Sequence, residues 1–248
     1  MDIAGLTLCS RYSYPPNSLS LCGPVKKKED LKWYASSQKA DLGTKEILSQ
    51  FATLFPYLSL IAYENDIKDP FDKRVVEAYW LGNNLMHNAP INKFAQQLSD
   101  KIQLKKKIKR KELDSLFIKL THGALPHHSF HVLNIYKRTG HLNMLHTVQT
   151  MDACLINWGK IKKILPFSLI IETFPLTIVG NQLKSGPKKE RTIMSQGKDD
   201  ILFSYLHIGD FVSYHWGYFC QKLSERQLKN LIYYTHLSLK LANQTPIL

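Results

Sequence analysis

Apolar residues recur at helical spacing through the first half of the chain, then shift to short alternating runs after Gly123. Ile47, Leu48, Phe51, Leu54 and Phe55 share one stripe of a helix predicted from Gly43 or Thr44 to Phe55. Pro56 permits only a kink or a restart there, and helix continues over Tyr57–Glu64. Lys26-Lys27-Lys28-Glu29-Asp30 opens an earlier helix through Ala35. Asp69-Pro70-Phe71-Asp72 reads as a helix start, with proline in the first turn and acid at the positive end of the dipole. That helix runs through Trp80 and ends near Gly82-Asn83, and residues 90–120 add two helical segments around Lys105–Lys111. The first 24 residues carry Pro15-Pro16-Asn17 and Gly23-Pro24, which predict an ordered loop tucked onto the helices.

Beyond Gly123, Pro126 breaks the pattern, and Phe130, Val132, Asn134 and Tyr136 alternate as a strand does. Residues 153–194 are rich in Ile, Val, Thr, Phe and Leu in short runs, Phe211–Phe219 forms a last aromatic strand, and Ser224-Glu225-Arg226-Gln227 caps a final helix. The fold expected is α+β: a helical domain over residues 1–123, then a small OB-like barrel with a C-terminal helix over 124–248, the boundary lying between Leu120 and Met151.

Composition narrows the class. At 248 residues and 44% hydrophobic the chain can bury a sizeable core. It has no run of about 18 apolar residues, and Met1-Asp2-Ile3-Ala4 lacks the features of a signal peptide, so a cytoplasmic protein without a membrane span is expected. Residues 1–150 hold 21 Lys and Arg against 13 Asp and Glu, and residues 151–248 hold 12 against 7. A net charge of +13 attracts polyanions or an acidic protein partner. Cys9, Cys22, Cys154 and Cys220 form no CxxC pair, which argues against a zinc knuckle, and in a reducing compartment they are expected as thiols.

Two segments stand out when set side by side. Cys154-Leu155-Ile156-Asn157-Trp158-Gly159-Lys160-Ile161 and Gly209-Asp210-Phe211-Val212-Ser213-Tyr214-His215-Trp216-Gly217 each read as a short strand containing a glycine, with Gly209-Asp210 turning into the second. Together with Lys222-Leu223 and the helix that follows, these segments resemble the HypC/HupF chaperones of [NiFe]-hydrogenase maturation over roughly residues 152–240. Cys154, Leu155, Gly159 and Lys160 fall in register with the opening motif of that family, and Gly209, Asp210, Val212, His215 and Gly217 with its closing one. The resemblance implies a non-catalytic accessory or assembly factor for [NiFe]-hydrogenase, either a transient carrier of an iron fragment, Fe(CN)2CO, or a docking chaperone for that fragment or the large subunit. Cys154 would be the iron's thiolate ligand and His215 its neighbour, and the hydrogenase large subunit or a maturation scaffold would be the partner. Four features depart from the family: Cys154 lies deep inside the chain, Trp158 replaces the proline before the glycine, the stretch Pro166–Gly197 is longer than the corresponding hairpin, and the helical half has no counterpart. The whole chain also resembles an uncharacterised bacterial family, associated with hydrogenase gene neighbourhoods, through Cys22-Gly23-Pro24 and Asp69-Pro70-Phe71-Asp72 with Glu77-Ala78-Tyr79-Trp80.

Other candidates carry plainer alternatives. Cys154 and His215 can equally be core residues, and Cys220 reads as core. His122, His127, His128 and His131, with His141 and His146 beyond, form a second candidate metal cluster. His127 and His131 have helical spacing, but on the strand predicted here they share a face while His128 points away. Arg74 and Glu77 read as a salt bridge on one helix face, with a functional pair as the alternative. Lys101–Lys111 lacks the interleaved aromatics of a single-strand binder and reads as a solvated basic face. A nucleic-acid-binding OB protein is therefore the alternative function, favoured by charge and fold alone and with nucleic acid not expected as the partner. A histidine-site metalloenzyme is a third, without paired carboxylates or a nucleophile elbow to support it.

Overall fold

The computed structural model describes residues 1–135, 145–198 and 200–244. Ten helices lead, in order α1 (Ile3–Ser18), α2 (Lys28–Ser37), α3 (Leu42–Ser49), α4 (Leu54–Tyr63), α5 (Lys73–Trp80), α6 (Ile91–Gln96), α7 (Leu104–Lys107), α8 (Arg110–Thr121), α9 (His128–Asn134) and α10 (Val148–Cys154) among the described residues. Seven strands follow: β1 (Asn157–Leu165), β2 (Ser168–Thr173), β3 (Leu176–Val179), β4 (Gln182–Ser185), β5 (Lys189–Met194), β6 (Phe211–His215) and β7 (Tyr218–Lys222). Helix α11 (Glu225–Ala242) ends the described chain, started by the capping box of Ser224 and Gln227 that its sequence predicts.

The architecture is α+β, as expected. Five strands form a mixed sheet in the order β1-β2-β5-β7-β6, and it closes on itself because β6 pairs back with β1. The parallel contact between β5 and β7 is a single pair, Met194 with Tyr218, and β3 and β4 form a separate two-stranded sheet. Side chains from both sides of residue 123 share one buried cluster: Leu6, Tyr57 and Trp80 belong to it, and so do Ile156, Cys220, Leu231 and Leu241. The interior of the closed sheet is a second cluster of Ile161, Leu169, Ile171, Ile193, Val212, Tyr214 and Phe219.

Several elements differ from their sequence patterns, each for a local reason. The leading residues are helix α1, not a loop, and Gly5 through Asn17 are all buried. Pro15 and Pro16 fall in its C-terminal part, where they remove two helix donors without ending the helix. The segment Phe130–Asn134 is helix α9, capped at its start by His127, whose Nδ1 accepts from the Ser129 amide. Tyr136 and His141 lie outside the described residues. Helix α3 stops at Ser49 and α4 restarts at Leu54, so Pro56 sits in a first turn where its missing N–H costs nothing. Helix α5 begins at Lys73, capped by Asp72, leaving Pro70 outside it. The span 90–120 holds three short α-helices and a π-turn at Gln97–Lys101 instead of two segments.

Phe211–Phe219 is a hairpin rather than one strand. His215 pairs with Tyr218, and the two residues between them, Trp216 (φ 49°) and Gly217 (φ 78°), both take the left-handed backbone of the turn that matches strand twist. Glycine supplies that conformation freely; tryptophan does not, and the Trp216 amide is held by the Ala153 carbonyl at 2.8 Å.

Candidate metal centre

Three elements that are distant in sequence meet at one point. Helix α9 brings His128, the C-terminal residue of α10 is Cys154, and β6 ends in His215. Their donor atoms all lie within 4.8 Å of one another, the one set of His, Cys and carboxylate donors among the described residues gathered tightly enough to hold a metal ion. The expected pair, Cys154 and His215, is thus brought together, and His128 joins it. The alternation of Phe130, Val132 and Asn134 hides His128 by suggesting a strand, whereas in the helix His128, His131 and Val132 (positions i, i+3 and i+4) line the same cavity. Pro126-His127 ahead of an apolar run is the start signal that marks this helix.

The tautomer of His215 follows from the two prolines of α1. In an unbroken helix the amide of residue 16 would bond the carbonyl of Tyr12, and that of residue 15 the carbonyl of Arg11. Proline has no N–H, so both carbonyls remain to be satisfied from outside. The Tyr12 carbonyl accepts from His215 Nδ1 at 2.7 Å, and the Arg11 carbonyl from Gln196 Nε2 at 2.7 Å. A carbonyl only accepts, so His215 carries its proton on Nδ1 and its Nε2 keeps a lone pair. That Nε2 is buried and has no hydrogen-bond partner. His215 is 1% exposed. Burial holds its pKa down at about 4, against the opposing pull of the Tyr12 and Cys154 carbonyls, so the ring is neutral at neutral pH.

His128 is held on both sides. Its Nε2–H donates to the Cys154 carbonyl at 2.7 Å, which is one of the carbonyls left over at the end of α10. Its Nδ1 faces the Tyr79 hydroxyl at 3.1 Å. Burial, and next the neighbouring His215, hold the His128 pKa well below the usual range, while burial raises that of Tyr79, which stays a phenol. The phenol serves either tautomer, donating to a bare Nδ1 or accepting from a protonated one. His128 can therefore release its Nε2 to a metal while Tyr79 keeps the ring in place. Trp80 packs against both imidazoles, 4.6 Å from His128 and 5.7 Å from His215 between ring centres, and stacks on Tyr12 at 5.3 Å. Cys154 is half-buried and borders a cavity of about 70 Å³ shared with His128 and His215.

A family described as "Family of unknown function (DUF6390)" matches residues 1–247. The chain belongs to that family. No curated protein and no solved structure matches it.

Of the remaining candidates, His131 and His146 line the same cavity but stand outside the group of three close donors. His127 and His131 each have a partner of their own, Ser129 Oγ at 2.6 Å and the Tyr57 hydroxyl at 2.9 Å, and burial lowers both pKa values to about 3. His122 is at the surface beside Gln244, and His146 Nδ1 lies 3.4 Å from Thr150 Oγ1. Cys220 is fully buried, and burial raises its pKa. Arg74 and Glu77 do not pair: Arg74 binds Asp72, while the buried Glu77 accepts from Arg226 at 2.9 Å and Gln227 at 2.8 Å, tying α5 to α11. The basic run is exposed for the most part, with Lys105 paired to Asp100 and Arg110 to Asp114. Arg11 is buried and central: it forms a double contact with Asp200 at 2.8 and 3.0 Å and also donates to the carbonyls of Ala35 and Cys220.

Proposed function

We propose that this protein is a non-catalytic assembly factor that holds a soft metal fragment at His128, Cys154 and His215 and passes it to an acidic protein partner in the cytoplasm. The observation that carries the reading is the convergence of a thiol and two neutral imidazoles, one with an unpartnered buried lone pair, on the wall of a small cavity. Thiolate and imidazole together suit zinc, iron and copper and discriminate against magnesium and calcium. The half-buried position of Cys154 suits cargo that must be exchanged.

The resemblance to the HypC/HupF chaperones makes the cargo an Fe(CN)2CO fragment and the recipient the [NiFe]-hydrogenase large subunit or a maturation scaffold. In that reading the closed sheet is a small OB-like barrel with Gly209-Asp210 leading into its closing hairpin. Gly209 does turn the chain there, and Asp210 ties it by accepting from the His207 amide at 2.9 Å and from Lys222 at 2.8 Å. No helix among the described residues is long and apolar enough to cross a membrane.

The test is purification without oxygen from cells that make a [NiFe]-hydrogenase. Iron is expected in the protein together with infrared bands of bound CO and cyanide. Cys154→Ala is expected to abolish both signals, and His215→Ala to weaken or shift the bands. Iron-free protein from hydrogenase-producing cells, with no such bands, would refute the carrier role.

A further inference from the structure

The Cys22-Gly23-Pro24 motif finds its place beside the same cavity. Asn17, fully buried at the end of α1, donates from Nδ2 to the carbonyls of Cys22 (2.9 Å) and Pro24 (3.2 Å). Gly23 has φ +75°, and a side chain there would run into the Phe51 ring, its Cβ 2.2 Å from the nearest ring atom. The loop is thus fixed from two sides, and it sets the half-buried Cys22 on the wall that Cys154, His128 and His215 also line. The second observation is independent of the loop: His215, whose buried Nε2 makes no hydrogen bond, is among the residues that line that cavity. At about 70 Å³ the cavity has room for a handful of waters, or for one metal ion with its donors drawn inward.

We propose that Cys22 is a fourth ligand, completing a two-imidazole, two-thiolate set with His128, Cys154 and His215 for a thiophilic divalent ion such as Zn²⁺, Co²⁺ or Fe²⁺. This rests on the reading of those three residues as a metal site. Cys22 stands outside the group whose donor atoms lie within 4.8 Å of one another, so binding requires its side chain to turn into the cavity and the other donors to close toward it while the loop backbone stays fixed. Each thiol gives its proton to solvent as its metal–sulfur bond forms, and the resulting donor set suits tetrahedral coordination. The chemistry also suits transfer, because displacement of Cys22 by a partner's thiolate would open the site while Cys154 and the imidazoles keep hold of the metal.

The experiment is titration of the reduced, full-length protein with Co²⁺ alone under argon. Tetrahedral cobalt bands are expected, with a thiolate-to-cobalt charge-transfer band that falls by about half in Cys22→Ser and again in Cys154→Ser, as one of two sulfur donors is lost each time. Affinity is expected to fall by at least about tenfold in each variant. Cadmium-113 NMR of the unmutated protein gives the sulfur count without relying on a variant that folds, and a shift characteristic of two thiolates is expected. A band that drops in Cys154→Ser but not in Cys22→Ser, with a one-thiolate cadmium shift, overturns the role of Cys22 and leaves the three-residue site standing. No thiolate charge transfer in the unmutated protein overturns both.

Discussion

The seam between α1 and the β6–β7 hairpin is built of polar groups, while the interior of the closed sheet beside it is mainly apolar, with the Tyr214 hydroxyl and the Thr173 side chain bonded to each other at 3.0 Å. In the seam, Arg11 pairs with Asp200, Tyr12 binds Ser213 at 2.8 Å, Gln196 reaches the Arg11 carbonyl and His215 the Tyr12 carbonyl. Inside the sheet, Leu169, Ile171, Ile193 and Val212 are fully buried and gain their stability from area removed from water. A hydrophobic contact tolerates small displacements; a hydrogen bond to one carbonyl specifies which ring nitrogen carries the proton. The polar seam fixes the orientation of the His215 ring, the proposed metal donor, and the apolar interior is what holds the sheet together. Breaking each in turn separates position from stability.

Acid gives the largest effect. His215 has its pKa lowered to about 4, and His127 and His131 to about 3, each by burial. The unfolded chain takes up these protons near pH 6.5 and the folded chain resists until much lower, so unfolding binds protons and acid favours it. Stability is full above about pH 6.5 and falls as the pH drops toward 4, with each histidine contributing on the order of 3 kcal/mol over that span. Urea unfolding at pH 7, 5.5 and 4 is expected to show the midpoint falling steeply over that span; a flat profile contradicts the buried neutral histidines.

Next is the buried ion pair. Arg11→Met strands Asp200, whose side chain is fully buried, and is expected to cost about 3–5 kcal/mol in urea unfolding. Arg11→Met combined with Asp200→Leu is expected to recover most of that loss, since an apolar pair leaves no buried charge. On the other side of the comparison, Ile171→Val in the sheet interior is expected to cost about 0.5–1.5 kcal/mol and to leave metal binding unchanged. A change in metal affinity on Ile171→Val would mean that the two regions are not separable in this way.

The smallest effect on stability, and the most specific for the site, belongs to Pro16. Pro16→Ala adds an amide that competes with His215 for the Tyr12 carbonyl. The unfolding midpoint is expected to move little, whereas metal affinity drops by about tenfold as His215 loses its fixed tautomer. Equal affinity in Pro16→Ala and the parent would show that the proline does not set the ligand.

These contrasts explain what the sequence discloses. The α+β order and the Ser224 cap are legible because spacing and caps are local signals, whereas the pairing of Cys154 with His215, far apart in the chain, is suggested only by the resemblance of their two motifs to the HypC/HupF chaperones. His128 is hidden because a short helix buried on every side shows no amphipathic stripe, and Phe130, Val132 and Asn134 alternate within it by chance. Helix α1 is hidden because Pro15-Pro16 signals a break in any chain that lacks outside donors for the carbonyls they leave, and those donors, His215 and Gln196, lie some 180 to 200 residues away. The turn at Trp216 is hidden because tryptophan seldom adopts positive φ, and what stabilises it there is the carbonyl of Ala153.

The central claim is that the fold presents a neutral His215 with a bare Nε2 to a metal, alongside Cys154 and His128. Nitrogen-15 NMR of histidine-labelled protein at pH 7, before and after one equivalent of Zn²⁺, tests this directly. The account expects His215 to be protonated at Nδ1 alone in the free protein, its Nε2 resonance to move to a metal-bound position with zinc, and His128 to transfer its proton to Nδ1. A His215 protonated at Nε2, or resonances of both rings unmoved by zinc, would contradict it.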